Sequence, residues 1–531
     1  MQKQLLLGVE SISQGAIDGG MSGVYAYPGT PSTEILEYVQ TSPVAIKRNL
    51  HRKWSSNEKT AYESALGMSY AGKRAMVCMK HVGLNVAADA FINSSITGVN
   101  GGLMLAVADD PSMHSSQNEQ DSRFYGNFAQ IAIFEPSSQQ EAYDMAREGF
   151  SFSEKTGLPV MLRITTRLAH SRAGVILSEC QDENKGSLPK DDHQFVLLPA
   201  IARKRYKLLL SKQSLLKELS EKSCYNKYIP GKDKRLGIIC SGIAYNYLME
   251  NFRDGECPYS ILKISQYPVP EKQVRKIDDE CDEILVVEEG YPFVEEKVRG
   301  LMGRDKKIKG KFDGTLPRDG ELSPDLVGKA LGHSISSGMS IPDLVVSRPP
   351  ALCAGCGHID LYVAMNEVMA SYEKGHVFAD IGCYTLGALP PYCAINSCVD
   401  MGASITMAKG ASEAGLFPAV AVIGDSTFTH SGMTGLLDAV NENSNITVVI
   451  SDNESVSMTG GQDSSATGRV ESICAGVGVD PKHIRVLIPL KKNHPEMVKV
   501  FQEEIAYTGI SVVISRRICI QRAARMKKIK K

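Results

Sequence analysis

The feature that most constrains the fold is a repeated alternation between helix-like segments and short apolar runs. Near the start of the chain, a helix-like segment at 57–72 precedes an apolar run at 74–79. A second predicted helix at 84–97 leads into an apolar run at 101–110, and another strand-like run lies at 158–166. Strands that alternate with helices in this way indicate parallel sheets covered by helices. We therefore expect an α/β protein.

The alternation continues through the rest of the chain. Predicted strands at 235–242 and 283–290 alternate with helices in the middle, and clear apolar strands at 417–425 and 445–453 lie in the last third. The first and last blocks are similar in size and type. A two-fold arrangement of related domains would explain that similarity.

Two stretches of different composition separate the blocks. Residues 178–194 are polar and charged, which indicates an exposed linker. Residues 302–324 are rich in Lys, Gly, Asp and Pro and end the middle block. We predict three domains, with bounds at 1–190, 191–340 and 341–531.

The overall charge excludes some classes of partner. The chain has 59 basic and 60 acidic residues among 531, a net charge of −1, so nothing global indicates nucleic acid or a membrane surface. The apolar run at the N-terminus is too short for a signal peptide, and we expect a cytoplasmic protein. In that compartment the thirteen cysteines would be reduced thiols or metal ligands.

Two polar motifs follow predicted strands in the last block. One contains Gly424, Asp425 and Ser426, and the other contains Asn453, one position after an Asp that lies 27 positions beyond Asp425. Loops at the carboxyl ends of parallel strands line the ligand crevice of such sheets. Mg²⁺ prefers oxygen ligands and takes only one or two carboxylates when phosphates complete its shell. Either residue alone would more often be a turn residue, but the pair at this spacing favours a Mg²⁺–phosphate site.

A C-x-x-C motif opens the last block. Cys353 and Cys356 lie among glycines in "ALCAGCGHID". Such a pair can form a redox dithiol, half of a zinc site or half of an iron–sulfur site, and the spacing alone leaves these open. Other cysteines, among them Cys78, Cys240 and Cys474, are expected to be small buried hydrophobic residues.

Two residues of the first block have ordinary helix-end interpretations. Ser55 and Glu58 fit the S-x-x-E capping box, and Thr30 in "PGTPS" fits a helix N-cap. On spacing alone, capping is the better explanation of Glu58.

Longer motifs add a family resemblance. The G-D-S and D-N motifs resemble the diphosphate-binding motif of thiamine-diphosphate enzymes. The whole chain resembles the 2-oxoacid:ferredoxin oxidoreductases, and most of all the large (alpha) subunits that act on indolepyruvate. This resemblance is carried by "YAYPGTPSTEI" (25–35), by residues 57–85, 108–126 and 348–358, by "ADIGCYTLGALPP" (379–391) and by "DMGASITMAKG" (400–410).

The resemblance implies a fold and a cofactor site. The fold would be the thiamine-diphosphate-binding α/β fold, in which pyrimidine- and diphosphate-binding domains flank a transketolase C-terminal-like domain. Glu58 would hydrogen-bond the aminopyrimidine ring of the cofactor. Mg²⁺ would be held by Asp425, Asn453 and the backbone carbonyl of Ser455. The other cofactor-binding residues that the resemblance implies are Gly382, Tyr384, Gly424 and Ser426.

The same resemblance interprets the cysteines. Cys353 and Cys356 would be two ligands of a [4Fe–4S] cluster, with Cys383 in "DIGCYT" as the third. We predict Cys519 as the fourth, because it follows an apolar strand at 509–517, although Ile518 stands where family members often have Pro. The rival candidates are Cys393, Cys398 and Cys474.

Residues for substrate contact are also implied. Thr30 matches a position that contacts substrate in the family. His81 and Arg123 are further candidates, each with a structural or surface role as the alternative. The implied substrate is a 2-oxoacid, and among 2-oxoacids an arylpyruvate such as indolepyruvate.

The expected activity is oxidative decarboxylation of the 2-oxoacid to its acyl-CoA, with coenzyme A as co-substrate and ferredoxin as electron acceptor. The expected partners are a small beta subunit, in a hetero-oligomer, and the ferredoxin. Two C-x2-C-x2-C-x3-C runs that usually follow in the family are not in this sequence, which ends in a basic stretch, so we expect electrons to leave through a separate protein. The alternatives are a non-oxidative thiamine decarboxylase or carboligase, and a non-catalytic subunit.

Overall fold

The computed structural model describes residues 3–252, 255–303, 305–335 and 338–529. The chain divides into two compact units, Met1–Met339 and Ser340–Lys531. Within the described ranges, no helix is both long and apolar enough to cross a lipid bilayer. The further division of the first unit into two domains stays a prediction.

The first unit contains fourteen strands in its described part. They are β1 (Lys3–Leu7), β2 (Gly23–Ala26), β3 (His51–Trp54), β4 (Ala75–Lys80), β5 (Leu103–Asp109), β6 (Ile133–Phe134), β7 (Val160–Thr165), β8 (Arg172–Ile176), β9 (Lys227–Ile229), β10 (Asp233–Ser241), β11 (Tyr259–Ile264), β12 (Gln266–Tyr267), β13 (Glu283–Val287) and β14 (Lys307–Lys309).

These strands form two main sheets and one antiparallel pair. Seven strands are ordered β12-β6-β7-β5-β4-β2-β3, and all neighbours are parallel except β12 and β6. Five strands are ordered β14-β13-β10-β11-β9, with only β9 antiparallel to its neighbour. The antiparallel pair is β1 with β8.

Helices connect and cover these strands. The α-helices of the first unit are α1 (Gly8–Asp18), α2 (Thr33–Thr41), α3 (Pro43–Lys47), α4 (Glu58–Tyr70), α5 (His81–Thr97), α6 (Arg123–Phe128), α7 (Gln139–Thr156), α8 (Thr166–His170), α9 (Pro199–Ser211), α10 (Gln213–Glu221), α11 (Ala244–Met249), α12 (Glu271–Glu280), α13 (Phe293–Leu301) and α14 (Pro324–Ala330).

The second unit repeats the parallel architecture. Its strands are β15 (His376–Ala379), β16 (Ser397–Cys398), β17 (Ala419–Gly424), β18 (Ile446–Asp452), β19 (Ser455–Val456), β20 (Gln462–Asp463), β21 (Ile484–Leu487) and β22 (Ile510–Arg516). Its α-helices are α15 (Gly357–Met369), α16 (Ala403–Glu413), α17 (Asp425–Thr427), α18 (Met433–Asn441), α19 (Val470–Gly476), α20 (His494–Ala506) and α21 (Ile520–Ile529).

Six strands of the second unit form one parallel sheet, ordered β16-β15-β17-β18-β22-β21. A small hairpin pairs β19 with β20. The central strands β17 and β18 are buried along their whole length. Continuous apolar strands of this kind are expected when helices cover both faces of a parallel sheet. The α/β prediction is confirmed.

The predicted linker at 178–194 contains no helix or strand, but it is bound to the first unit rather than free. Arg74 donates to the side-chain oxygen of Gln181 at 3.0 Å, and Asn184 donates to Glu154 at 2.6 Å. The backbone N–H of Ser187 donates to the carbonyl of Ala71 at 2.9 Å. Its polar side chains satisfy groups on the unit's surface, which composition alone could not indicate.

Each large parallel sheet has a point where the strand order reverses. In the first unit this point lies between β2 and β4, because β3 lies on the other side of β2. In the second unit it lies between β15 and β17, because β16 lies on the other side of β15. Ligands of open α/β sheets bind outside the carboxyl ends of the strands at this reversal.

Candidate active site

Asp425 stands directly after β17, at the reversal point of the second unit's sheet. Its side chain is 1% exposed, and its Oδ2 atom has no hydrogen-bond partner within the described residues. Burial raises the pKa of the Asp425 carboxyl to about 7, and the neighbouring charge of Asp452 adds to the shift. A buried carboxylate oxygen without a donor is costly unless a cation or proton binds it. The site therefore fits a cation.

The loop after β18 lies beside Asp425. Asn453 is half-buried, and its side-chain oxygen accepts a hydrogen bond from the N–H of Ser455 at 3.0 Å. Buried oxygens of Asp452 (Oδ1) and Ser455 (Oγ) lack partners in the described part of the chain. Together, Asp425, Asn453 and the Ser455 carbonyl would supply one carboxylate, one amide and one carbonyl oxygen. That donor set fits Mg²⁺ when the ligand brings its own phosphates.

The ring of Tyr384 packs against the segment after β15 and the end of β17. Its ring lies so close to two glycines that an added Cβ atom would come within 2.3 Å of the ring at Gly382 and 2.7 Å at Gly424. The ring is 3% exposed, and its hydroxyl forms no hydrogen bond with a described residue. Burial raises the pKa of the Tyr384 phenol well above its usual range, so the hydroxyl stays protonated and can donate. Ser426, 8% exposed, stands beside them.

The four cysteines predicted as cluster ligands line one pocket of the second unit. They come from three different places in the sequence: Cys353 and Cys356 precede α15, Cys383 follows β15, and Cys519 follows β22. Asn453 also lines this pocket, so the pocket borders the loop after β18.

The four thiols lie close enough together to affect the ionisation of Cys383. Burial raises the pKa of Cys383 to about 12, and the nearby thiols of Cys519, Cys356 and Cys353 add to the shift. No three His, Cys, Asp or Glu side chains of the described residues are grouped closely enough to bind a single metal ion. A cluster of four irons takes its thiolates from around a larger group. The number of thiols that line the pocket matches the four thiolates that such a cluster takes.

The other candidates for the fourth cluster ligand lie outside this pocket. Cys393, Cys398 and Cys474 are not among the residues that line the pocket. Cys474 is fully buried in the apolar core, as expected for a small hydrophobic residue, and so are Cys78 and Cys240.

Glu58 is the first residue of α4 in the first unit. The helix is capped by Asn57, whose side-chain oxygen accepts from the N–H of Thr60 at 2.8 Å. The predicted alternative, a capping box of Ser55 with Glu58, is therefore wrong, because the helix begins two residues later than that box requires. Glu58 is 6% exposed, and a Cβ atom at Gly83 would lie 2.5 Å from its Oε1. The carboxylate thus rests on the first turn of α5.

Thr30 lies in the loop after β2. It caps no helix, because α2 begins at Thr33 after an N-cap at Ser32, so the N-cap interpretation is wrong. Thr30 is half-buried, and its carbonyl accepts a hydrogen bond from the Ser115 hydroxyl at 3.3 Å.

His81 is the first residue of α5 and is 1% exposed. Its Nε2 atom lies 3.2 Å from the carbonyl of Asn118, and its Nδ1 atom has no partner among the residues that the structure describes. Thr30, Glu58 and His81 therefore belong to loops and helix ends at the carboxyl side of the first sheet.

Arg123 is fully buried among carboxylates. It forms ion pairs with Asp121, Glu135 and Glu288, the last at 3.0 Å. These contacts favour the structural role that was the alternative prediction for Arg123, and contact with a substrate stays a prediction.

Sequence reasoning missed Lys80, the last residue of β4. It is 8% exposed, packs across Gly29, and donates from Nζ to the carbonyl of Ser115 at 2.9 Å. Burial lowers the pKa of the Lys80 ammonium to about 8, against the opposing charges of Asp110 and Glu58. The sequence could have indicated Lys80, because a lysine directly after an apolar strand is unusual.

Two family models match separate parts of the chain. Residues 14–202 match the family described as "Pyruvate flavodoxin/ferredoxin oxidoreductase, thiamine diP-bdg". Residues 380–513 match "Thiamine pyrophosphate enzyme, C-terminal TPP binding domain". The two matched ranges contain Glu58 and Asp425 respectively.

Curated relatives match over almost the whole chain. The "Indolepyruvate oxidoreductase subunit IorA" of Archaeoglobus fulgidus is 37% identical over 546 residues, which cover 98% of this chain and 86% of the relative. The protein of the same name from Pyrococcus horikoshii is 38% identical over 566 residues, with the same coverage.

A solved structure supports the fold. The 2-oxoglutarate:ferredoxin oxidoreductase from Magnetococcus marinus matches with a TM-score of 0.52 and 15% identity, over 62% of this chain and 65% of that one. The predicted fold class, a thiamine-diphosphate-binding α/β fold with parallel-sheet domains, is confirmed by this match and by the two family models.

Proposed function

This chain belongs to the family of the indolepyruvate oxidoreductase subunit IorA, the alpha subunit of a 2-oxoacid oxidoreductase, and we propose that it decarboxylates an arylpyruvate oxidatively with thiamine diphosphate. The proposed products are the acyl-CoA, CO₂ and reduced ferredoxin. Indolepyruvate is the substrate class that the names of the relatives support.

The proposed cofactor site uses the loops after β15, β17 and β18. Asp425, Asn453 and the carbonyl of Ser455 would hold Mg²⁺, which neutralises the diphosphate. Ser426 would donate to a phosphate oxygen. Gly382, Gly424 and Tyr384 would shape the wall against which the cofactor lies. When bound, thiamine diphosphate supplies a nucleophilic carbon and an electron sink for the reaction.

Glu58 has a proton-handling role in this proposal. Its carboxylate would accept a hydrogen bond from the aminopyrimidine ring and stabilise the tautomer that takes up the proton. The position supports this, because the carboxylate is nearly buried and rests on the first turn of α5 at the carboxyl side of the sheet. A desolvated carboxylate interacts strongly with whatever hydrogen-bond donor it contacts.

The four pocket cysteines would hold a [4Fe–4S] cluster. Cys353, Cys356, Cys383 and Cys519 would be its ligands as thiolates, and the chemistry of such a group is one-electron transfer. The border that the pocket shares with Asn453 supports a short path between the cofactor site and the cluster.

Substrate contacts are proposed for Thr30 and His81. Both lie at the carboxyl side of the first sheet, where ligands of such sheets bind. The unpartnered Nδ1 atom of His81 supports its availability to a polar group of the substrate.

The proposed assembly contains a small beta subunit, and coenzyme A and ferredoxin act as co-substrate and electron acceptor. The word "subunit" in the relatives' name supports a hetero-oligomer. The solved oxidoreductase from Magnetococcus marinus has coenzyme A and succinyl-CoA bound, which supports coenzyme A as the co-substrate here.

One observation carries the proposal. Four cysteines from three separate segments of the chain line one pocket beside the loop after β18, where buried oxygens of Asp452 and Ser455 lack partners in the described chain. A non-oxidative thiamine enzyme would need the loop that binds the cofactor, but not the four cysteines.

The test measures the iron and sulfide content of the protein and its oxidoreductase activity. The chain is produced without oxygen together with the small subunit, and its visible spectrum, iron and sulfide are measured. Reduction of ferredoxin or a viologen dye is then followed with indolepyruvate, coenzyme A, thiamine diphosphate and Mg²⁺. We expect a brown protein whose reduction of the dye needs each of these components.

Two results would contradict the proposal. A colourless, iron-free protein that releases CO₂ from the 2-oxoacid would indicate a non-oxidative decarboxylase or carboligase. Failure to bind thiamine diphosphate with Mg²⁺ would indicate a non-catalytic subunit.

A further inference from the structure

The segment that follows β22 is hydrogen-bonded to the loop after β18. The N–H of Arg517 donates to the carbonyl of Asp452 at 2.9 Å, and the N–H of Cys519 donates to the carbonyl of Asn453 at 3.1 Å. These bonds extend the parallel pairing of β22 with β18 beyond both strands. The segment 517–525 therefore begins in contact with the proposed Mg²⁺-binding residues.

Two arginines of α21 then hold the rest of the loop, which we call the cofactor loop (453–463). The Arg522 guanidinium donates to the carbonyl of Glu454, and that of Arg525 donates to the carbonyl of Gly460. Arg522 also pairs with the Asp463 carboxylate at 2.8 Å. Both ends of the β19–β20 hairpin are thus fixed by one helix.

The backbone of the cofactor loop needs such support. Glu454, Gly460 and Gly461 all have positive φ values, of 59°, 130° and 88°. Two adjacent glycines lose more conformational freedom on ordering than other residues do. The pairing of only two residues in each of β19 and β20 is too short to be stable alone. The loop has a few hydrogen bonds of its own, such as that from Thr459 to Gln462 at 2.7 Å, and contacts from outside the loop add to them.

The arginine–carbonyl hydrogen bonds and the Arg522–Asp463 ion pair differ in strength. A charged donor on a backbone carbonyl forms a strong hydrogen bond. The ion pair contributes less, because the Asp463 side chain is 88% exposed and its charge is screened by water. The half-buried bond from Arg522 to the carbonyl of Glu454 should therefore contribute most, and the exposed bond from Arg525 to Gly460 should contribute less.

We propose that Arg522 and Arg525 are positioning residues that hold the cofactor loop in the conformation that binds Mg²⁺ and thiamine diphosphate. The inference rests on the proposed function of Asn453 and Ser455. It adds that residues of a basic C-terminal helix, beyond the range that matches the thiamine-enzyme family, control the affinity for the cofactor. A preordered loop binds more tightly because less ordering remains to be done on binding.

The test measures binding directly. Calorimetry of the full chain in its complex, with Mg²⁺ and thiamine diphosphate, is compared for the wild type and the Arg522→Ala, Arg525→Ala double variant. We expect the dissociation constant to rise at least about tenfold, and kcat at saturating cofactor to stay within about twofold. Arg522→Lys with Arg525→Lys should recover part of the affinity, because lysine can still donate to a carbonyl.

Matched controls separate this effect from a general loss of charge. Lys527 and Lys528 are exposed cations on the same helix, and Lys527→Ala with Lys528→Ala should leave the affinity unchanged. Asp463→Asn should change it little, because the exposed ion pair is weak. Iron content should remain at the wild-type level in every variant, since Cys519 is held by β22 and its backbone bond.

Wild-type affinity in the double alanine variant would overturn the inference. Equal losses in the double lysine-to-alanine control would overturn it as well, because they would show a charge effect of the whole helix. If the wild type itself fails to bind thiamine diphosphate, the proposed function fails instead. The two failures are thus distinguishable.

Discussion

At the scale of single residues, the candidate site is marked by buried polar atoms without partners in the described chain. Asp425, Tyr384 and His81 each have one such atom, although each side chain is at most 3% exposed. Folding normally pairs buried polar groups, since an unpaired one costs free energy. Residues that keep such atoms are suited to binding something else.

The first prediction concerns Asp425. In Asp425→Asn, the affinity for thiamine diphosphate with Mg²⁺ should fall at least about 100-fold, because the site loses its charged ligand. The melting temperature of the cofactor-free protein at pH 8 should rise, because a buried carboxylate beside Asp452 is removed. Calorimetry and thermal denaturation measure the two effects. Asp438→Asn, an exposed position on α18, is the control, and unchanged cofactor affinity in Asp425→Asn would contradict the Mg²⁺ site.

The second prediction concerns Glu58. Glu58→Gln should bind thiamine diphosphate with near wild-type affinity but lose about 100-fold or more in kcat, because an amide cannot take the carboxylate's part in the proton relay with the aminopyrimidine ring. The fold should be retained, since Asn57 caps the helix. Binding is measured by calorimetry and kcat by dye reduction. Glu63→Gln on the same helix is the control, as Glu63 is half exposed and pairs with Lys59. A Glu58→Gln protein with most of its activity would remove Glu58 from the chemistry.

At the scale of elements, chemistry concentrates where parallel strands end. Asp425 follows β17, Asn453 follows β18, Cys383 follows β15 and Cys519 follows β22. Parallel neighbours bring these ends to one edge of the sheet, so residues far apart in sequence become neighbours. The pairing of β22 with β18 is what brings Cys519 beside the cofactor loop.

The third prediction tests that arrangement. Cys519→Ser should lose or degrade the cluster, because a serine hydroxyl is a poor ligand for iron that prefers thiolate. Iron and sulfide analysis and the visible spectrum measure this. Thiamine diphosphate should still bind, since the backbone bond of residue 519 and the two arginines of α21 remain. Cys393→Ser, at an exposed position outside the pocket, should keep its iron. A full iron complement in Cys519→Ser would place the fourth ligand elsewhere.

At the scale of the whole molecule, the first unit contains a buried charged network between its two main sheets. Arg123 and Arg163 both donate to the carbonyl of Glu289, beyond the end of β13. Arg163 also pairs with Asp109, which ends β5 of the other sheet. Burial raises the pKa values of Glu288 and Glu289 to about 7. The network joins the sheets but includes carboxyls that are costly to ionise.

The fourth prediction uses Glu289, which is 1% exposed and whose Oε2 atom has no partner among the described residues. A carboxyl whose pKa rises from 4.5 to about 7 on folding binds its proton more tightly in the folded state. Its contribution to stability is full below pH 4.5 and is lost as the pH rises to about 7. Glu289→Gln mimics the protonated form, and should stabilise the protein at pH 8 by roughly 1–3 kcal/mol and little at pH 5.

Thermal denaturation from pH 5 to pH 8 measures this difference. The control is Glu296→Gln, at an exposed position on α13, whose melting temperature should follow the wild type at every pH. A Glu289→Gln protein that is less stable than the wild type at pH 8 would show that the ionised carboxylate is needed by the network.

The sequence by itself determined the local structure and the types of ligand. Apolar runs predicted β4, β5, β17 and β18 to within a few residues, because a strand buried on both faces must be continuously apolar. Strand-end Asp and Asn residues indicated an oxygen-rich site, and the family resemblance selected Cys519 from several candidates. These features depend on residue type and on short spacing, which a sequence contains in full.

Only the tertiary structure decided which distant residues meet. It brought Cys519 into the pocket of Cys353, fixed Asn57 rather than Ser55 as the cap of α4, and buried Arg123 in a charged network. It also identified Lys80 and the arginines of α21, which no motif had indicated. Strand order and the partners of a buried charge depend on packing between segments far apart in the chain. The periodicity of apolar residues within one segment does not indicate which distant segment packs against it.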